Sequence, residues 1–239
     1  MGRILQIGAI AGAIPSFAAS SIQMMRMAEA FAALGHEVTL VAPSGRPGRA
    51  ADPFAFYGVR ARFAIERVWA GGGGRAGTLA FAWAARRMAM RGAWDVIFCR
   101  HPMATVLLAR AGVPHVFEAH HYRVAGRVDR WLMEALRTPY VRRVVVLASA
   151  LVEPFAAAGV PAAKILVAPD GAAPVEAAHH APRAGAGSFL VAYAGSLSAL
   201  KGTDTLLAAA RMLPEVRFTL AGGPVPGDQR MAGSNVCFV

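Results

Sequence analysis

The sequence predicts a parallel α/β protein built as two consecutive units, the second with few elements. Three observations predict this class. Short apolar runs of strand length alternate with stretches of helical periodicity, the pattern of a sheet covered on both faces. The alternation starts afresh after residue 188. Between the two starts, residues 172–188 are rich in Ala, Pro, Gly and His without periodicity and read as a linker. A chain of 239 residues is long enough for two ordinary domains. The expected organisation is a first domain over 1–171, a linker over 172–188 and a partial second domain over 189–239.

Each element has its own warrant. Residues 3–7 form a short, mostly apolar run, the first strand. The loop expected next, residues 8–21, contains Gly8, Gly12, Pro15 and Ser16. Fourteen residues is long for a plain strand-to-helix connection, and long loops tend to carry function. Met24, Met27, Ala28, Phe31 and Leu34 then recur at helical spacing, with Gln23, Arg26 and Glu29 off the stripe. Gly35 ends that helix, and residues 37–42 return as a strand, completing a βαβ unit. Further strands are expected over 59–68, 94–100, 115–120, 143–148 and 164–168, with helices over 78–91, 104–111, 127–136 and 151–158. Gly71 to Gly74 reads as a loop rather than a phosphate cradle, because no apolar strand leads cleanly into it. The second unit opens with a strand at 189–194. A loop at 195–202, a helix at 203–213, a strand at 216–221 and a last strand at 235–239 follow.

Composition narrows the partners. Hydrophobic residues make up 56% and charged residues 16%, which permits a sizeable core and excludes wholesale disorder. The 25 Lys and Arg against 14 Asp and Glu give a net charge of +11, which favours anionic partners: phosphorylated small molecules or anionic lipid headgroups. The basic residues are scattered, and no zinc-finger, basic-zipper or aromatic-basic sheet motif is present, so nucleic acid is not expected. Cys99 and Cys237 lack metal-ligand spacing and lie in apolar runs, so two buried thiols in a reducing compartment are expected. Gln6, Gly8, Gly12 and Pro15 interrupt the apolar N-terminal stretch, which therefore reads as a first strand rather than a signal peptide. No run of about 18 uninterrupted apolar residues is present to span a bilayer. A cytoplasmic protein is expected, with peripheral attachment at the inner membrane face permitted by its charge.

Ligands of open α/β sheets bind at the C-terminal ends of the strands, where helix N-termini also point. The strongest candidate there is Tyr193-Ala194-Gly195-Ser196-Leu197-Ser198-Ala199-Leu200-Lys201-Gly202. A strand feeds a glycine, a short loop, a lysine, a second glycine and a helix. Gly195 allows close backbone approach, Thr203 and Asp204 begin the helix, and Lys201 brings a full charge suited to a diphosphate. The spacing differs from G-x-x-x-x-G-K-[ST], which disfavours a nucleotide-hydrolysing motor. An ordinary βα loop with an exposed lysine is the other reading of the same residues. His120, at a strand end, reads either as a hydrogen-bonding group in a cleft or as a histidine satisfied by backbone. His121 and His101 have weaker support. Glu118 reads as a structural carboxylate rather than a nucleophile, since it has no partner at glycosidase spacing.

Several segments in order resemble one family. They are Lys164-Ile165-Leu166-Val167-Ala168-Pro169-Asp170-Gly171, Gly195-Ser196-Leu197, Lys201-Gly202-Thr203-Asp204-Thr205-Leu206-Leu207 and Leu220-Ala221-Gly222-Gly223-Pro224. In the first half, Ser21-Ile22-Gln23, the segment Ala30-Phe31-Ala32-Ala33-Leu34-Gly35-His36-Glu37-Val38-Thr39-Leu40, and Glu118-Ala119-His120 agree. The chain thereby resembles the group-1 (family 4) glycosyltransferases of the GT-B fold. The resemblance implies two Rossmann-like domains facing across a cleft, the first for the acceptor and the second for a nucleotide-diphosphate sugar. It implies that Gly195, Ser196 and Lys201 contact the donor diphosphate and that Gly222 and Gly223 line the donor pocket. It also implies that Gly12, Pro15 and Ser16 face phosphates and acceptor, and that His120 is a catalytic-site residue hydrogen-bonding sugar or acceptor. Transfer would retain anomeric configuration, with no metal and no cofactor, the cation stabilising the departing diphosphate. The family often has Arg where Ser196 stands, and serine offers a hydroxyl without charge, which places more weight on Lys201.

The resemblance also sets an expectation of incompleteness. The family's later strands carry a Glu-x7-Glu motif that holds sugar and ribose, and no such pattern follows residue 170 here. The expected explanations are a truncated or excised enzyme, or half of a split transferase completed by another chain, with weak or no transfer by these residues alone. A rival from another class is a non-catalytic module that binds a partner or an anionic membrane. A sugar-phosphate epimerase of similar architecture is a further rival, disfavoured because the paired acidic residues are missing.

Overall fold

The computed structural model describes residues 3–43, 52–68, 70, 74–172, 189–223 and 233–239. Nearly all of the expected linker, Gly71 to Gly73 and Pro224 lie outside the described residues. The chain divides into two compact units, Met1–Ala172 and Ala173–Val239.

The first unit is one parallel sheet of seven strands: β1 (Gln6–Ile10), β2 (Glu37–Pro43), β3 (Ala64–Val68), β4 (Val96–Cys99), β5 (His115–Ala119), β6 (Val141–Val146) and β7 (Ile165–Val167). The spatial order is β3-β2-β1-β4-β5-β6-β7, so the winding reverses between β1 and β4. Helix α1 (Ala19–Ala33) and the short α2 (Pro53–Tyr57) pack on one face, where Met24, Met25, Leu40 and Tyr57 share a core. Helices α3 (Gly74–Ala89), α4 (Pro102–Arg110), α5 (Arg127–Arg137) and α6 (Val152–Ala157) cover the other, over Phe81, Leu108, Leu136 and Phe155. Burying a side chain of this size contributes roughly 1.5–3 kcal/mol, so the two cores hold the sheet between them.

The structure corrects several expected boundaries. The first strand runs over Gln6–Ile10, three residues later than expected, because Gly8 does not break it. A Cβ at Gly8 would lie 3.1 Å from the Trp94 ring, so glycine is what lets the indole pack against the strand. With the strand extended and α1 starting at Ala19, the connecting loop is residues 11–18, shorter than the fourteen-residue loop expected. In α1 the buried methionines are Met24 and Met25; Met27 is only half-buried and Leu34 is exposed beyond the helix end. Gly35 has φ 87, the left-handed stop expected of it. Helix α2 falls just before the strand expected over 59–68. Its Asp52 N-cap accepts the Phe54 N–H at 3.0 Å and Pro53 takes the first turn, a legible start signal for a helix of five residues. Strand β6 begins at Val141, where a register shift opposite His115 and Val116 leaves both Arg142 and Arg143 outward. Cys99 is buried, as expected; Cys237 is exposed, contrary to expectation.

The second unit has β8 (Leu190–Ala194), α7 (Thr203–Met212), β9 (Arg217–Ala221) and β10 (Val236–Phe238). Its parallel sheet has the order β10-β9-β8. Leu197, Leu207, Ala210, Phe218 and Leu220 form a small core under α7. Alternation along the strands sends Leu190, Ala192 and Cys237 to the opposite side, where they are exposed. That is why Cys237 is not buried.

Candidate functional site

In the first unit, chemistry-bearing side chains gather where the winding of the sheet reverses, at the C-terminal ends of β4 and β5 and the start of α1. The centre is Glu118, 2% exposed at the end of β5. Its carboxylate accepts the Gln23 amide N–H at 2.9 and 3.1 Å and lies 3.8 Å from the Arg100 guanidinium. Arg100 also donates to the Gln23 side-chain oxygen, and His120 Nε2 is hydrogen-bonded to Glu118. Asp170, after β7, joins the group: one ligand atom each of Glu118, His120 and Asp170 lies within 4.8 Å of the others. Burial pushes the Arg100 guanidinium down from its ordinary value, and the charges of Glu118 and Asp170 oppose that shift. Arg100 thus supplies, within the protein, the positive charge that this pair of carboxylates needs.

The structure places the expected residues as follows. His120 is in the group, held by Glu118. Glu118 is the hub, its carboxylate meeting Gln23, Arg100 and His120. His101 is instead the N-cap of α4. Its Nδ1 accepts the Ala104 N–H at 3.1 Å, its ring meets Phe81 edge-on, and burial pushes it down to about 4. His121 is exposed outside the network. Gly12 is exposed, with open space where a Cβ would stand, and Pro15 and Ser16 are half-buried in a loop tied at several points. The Tyr57 hydroxyl accepts from Ser16 N–H at 2.6 Å and donates to the Ser16 carbonyl at 2.7 Å. Arg67 donates to the Ile14 carbonyl and Ser21 to the Ala13 carbonyl. The Ser16 hydroxyl accepts the Ala18 N–H at 3.1 Å. Sequence reasoning did not assign roles to Arg100, Gln23 and Asp170. Arg100 had a visible signal, a charge directly after an apolar strand; Gln23 carried only the polar side of a helical stripe.

In the second unit, the loop after β8 is held by three features. Leu197 is buried in the core, the Tyr193 hydroxyl donates to the Ser196 carbonyl at 2.9 Å, and Gly195 N–H donates to the Ala221 carbonyl at 2.9 Å. A short 3-10 turn, Ala199–Lys201, leads to Gly202, whose φ of 72 redirects the chain into α7. Lys201 is exposed at that entry, beside the positive end of the helix. Asp204 stands in the first turn of α7 and offsets part of that field. Gly195 and Gly222 meet backbone to backbone: a Cβ on Gly222 would fall 1.8 Å from the Gly195 carbonyl oxygen. Gly223 has nothing within 4 Å of a Cβ. Gly195, Ser196, Lys201, Gly222 and Gly223 therefore lie on the two adjacent loops that leave β8 and β9.

Comparison with known proteins follows the same lines. Residues 20–171 match the family model described as "Glycosyl transferase 4-like domain". No curated protein sequence matches the chain. Among solved structures, Alr3699/HepE from Anabaena, in complex with UDP, aligns over 98% of this chain and 69% of its own, with 15% identity and a TM-score of 0.70. The catalytic domain of starch synthase IV from Arabidopsis thaliana, bound to ADP and acarbose, aligns over 100% of this chain and 74% of its own, with 12% identity and a TM-score of 0.70. The UDP-GlcNAc 2-epimerase from Neisseria meningitidis, bound to UDP-GlcNAc, aligns over 98% and 72%, with 9% identity and a TM-score of 0.64. At these identities the likeness is one of fold, and the fold is GT-B.

Proposed function

The chain belongs to the glycosyl transferase 4-like family, and from that premise we propose that it handles a nucleoside-diphosphate sugar and passes its glycosyl group to a hydroxyl of a glycan or lipid acceptor. The observation that carries this reading is the entry to α7. There a strand end, two crossing glycines, an exposed lysine and a helix N-terminus converge in a unit of few elements. A diphosphate leaving group gathers negative charge as the bond to the sugar breaks. Lys201 and the start of α7 are what this chain offers to stabilise it. Ser196 adds a hydroxyl, Gly223 leaves open space beside the backbone, and Gly222 lets its loop close against the Gly195 carbonyl. In the first unit, His120 is oriented by Glu118 through Nε2, which directs its other ring nitrogen to a sugar or acceptor hydroxyl. The loop carrying Gly12, Pro15 and Ser16 serves the acceptor side. Retention of configuration without metal or cofactor belongs to the same reading, with the cation of Lys201 in the role a metal takes elsewhere.

Isothermal titration of the purified chain with UDP, GDP and their sugars tests it. Binding of at least one is expected, weakened about tenfold or more by Lys201→Ala, the loss of one charge-assisted contact. Wild-type binding unaffected by that change sinks the assignment of Lys201, and no binding by a folded chain favours a non-catalytic module. Attachment at an anionic membrane, and completion by a second chain, are partner proposals that this titration leaves untouched.

A further inference from the structure

We propose that the outer surface of α3 and the groove between α3 and α5 form a docking face for an anionic lipid bilayer. It deepens the lipid-acceptor side of the transferase reading and rests on that reading for its purpose alone.

Helix α3 has a buried side, with Phe81, Ala82, Ala85 and Ala89, and an outward stripe at helical spacing: Arg75, Leu79, Trp83, Arg86 and Met90. Leu79 is 44% exposed, and Trp83 and Met90 are each 54% exposed, on a helix that already has an apolar side against the sheet. Three large apolar side chains in one row on the solvent side are not needed for folding. Between Leu79 and the start of α5 runs a groove of 970 Å³, floored by Met103 and walled on the far side by Val128 and Trp131. Val128 is 38% exposed.

The charge around this apolar surface is predominantly positive; exposed Glu66 stands on the other flank of α3, beside Ala84 and Arg87. Residues 71–110 contain a single acidic residue, Asp95, which is engaged by Arg3 and by the Gln6 N–H. On α5, Asp129 is occupied by Arg123 and by the N–H groups of Ala125 and Gly126, and Glu134 lies further along the helix. Arg86 and Arg87 stand in the last turn of α3, where they also complement the helix dipole. Arg75 and Arg127 stand in first turns, where the dipole disfavours a cation, so local helix stability does not place them there. Both line the groove. Arg86 stacks on Trp83, 4.9 Å from its ring, and Arg110 on Trp131 at 5.0 Å. Indole rings and guanidinium groups side by side over an apolar row match the headgroup–acyl boundary, with cations at phosphate level and Leu79, Trp83 and Met90 below it. A soluble acidic partner would satisfy the arginines but not the apolar row, which selects the bilayer.

The test is sedimentation of the full 239-residue chain with vesicles of phosphatidylcholine alone or with about one-third phosphatidylglycerol. Binding is expected only to the anionic vesicles, reduced at least about fivefold in roughly 0.5 M NaCl. Leu79→Ser with Trp83→Ser, and separately Arg75→Glu with Arg127→Glu, should each lower partitioning at least about fivefold while leaving the circular dichroism spectrum unchanged. Tryptophan quenching by brominated lipid should be lost mainly in Trp83→Phe. No binding to anionic vesicles, or binding that both double variants retain, overturns the proposal. So does an equal loss from the charge-matched Arg142→Glu with Arg211→Glu. Concentration-dependent self-association removed by Trp83→Ser, without vesicle binding, also overturns it and assigns the face to a second copy. UDP titration of the same variants without vesicles separates this outcome from the transferase reading, because none of these residues belongs to the proposed donor site.

Discussion

At the scale of single residues, the first unit stands on a few buried polar side chains with fixed partners. His101 shows how such a residue acts away from the candidate site. Its ring nitrogen caps α4 only while unprotonated, and burial holds its pKa at about 4 against 6.5 for an ordinary histidine. Between those values the unfolded chain binds a proton that the folded chain refuses, so stability rises with pH across that window and falls as pH drops through it. The shift corresponds to about 3 kcal/mol at most. His115 is displaced in the same direction by burial and adds to the slope. His101→Asn keeps a cap acceptor and removes the titration. Its urea-unfolding free energy should therefore fall less between pH 7 and pH 4 than that of the wild type; an unchanged pH slope would show that His101 does not carry the effect. Lys201 differs in kind: it is exposed, and its value lies in what it meets.

At the scale of elements, the sheet and its helices were legible in the sequence, and their ends were not. Among the described residues, alternating periodicity located each strand and each α-helix except α2, whose five residues are too few to show a period. Gly8 misled because a glycine inside a strand looks like a loop until the Trp94 ring beside it is known. The candidate site was half legible for a similar reason. His120 and Glu118 lie at a strand end and can be read there. Gln23, Arg100 and Asp170 acquire their roles only when α1, β4 and the end of β7 are brought to the same carboxylate. The crossing of the two loops in the second unit was likewise invisible, since Gly195 and Gly222 each look like ordinary turn glycines. It makes an element-scale prediction. Gly222→Ala places a methyl group against the Gly195 carbonyl and should destabilise the second unit by about 1–3 kcal/mol. Gly223→Ala, with open space around it, should cost less. Urea unfolding followed by Tyr193 and Phe218 nuclear resonances compares the two, and equal effects would deny the crossing.

At the scale of the molecule, the two units are unequally stabilised. Among the described residues, the first buries extensive cores on both faces of seven strands, and the second buries five residues under one helix on one face of three strands. Small cores are marginal. Native-state hydrogen exchange should show amides of β8 and β9 opening at least about tenfold faster than those of β1, β4 and β5, and equal protection would contradict this division. The carboxylate hub of the first unit has a consequence for how the protein is made. Gln23 and Glu118 are 95 residues apart in sequence, and Asp170 arrives later still. The hub cannot close until strands on both sides of the reversal have docked, so it belongs to the slow, high-contact-order end of folding. A chain that has assembled only its first βαβ unit already has the strapped loop's strand and helix but no ordered Glu118. The carboxylate hub is therefore a product of the finished sheet, and its appearance marks the completion of the first unit.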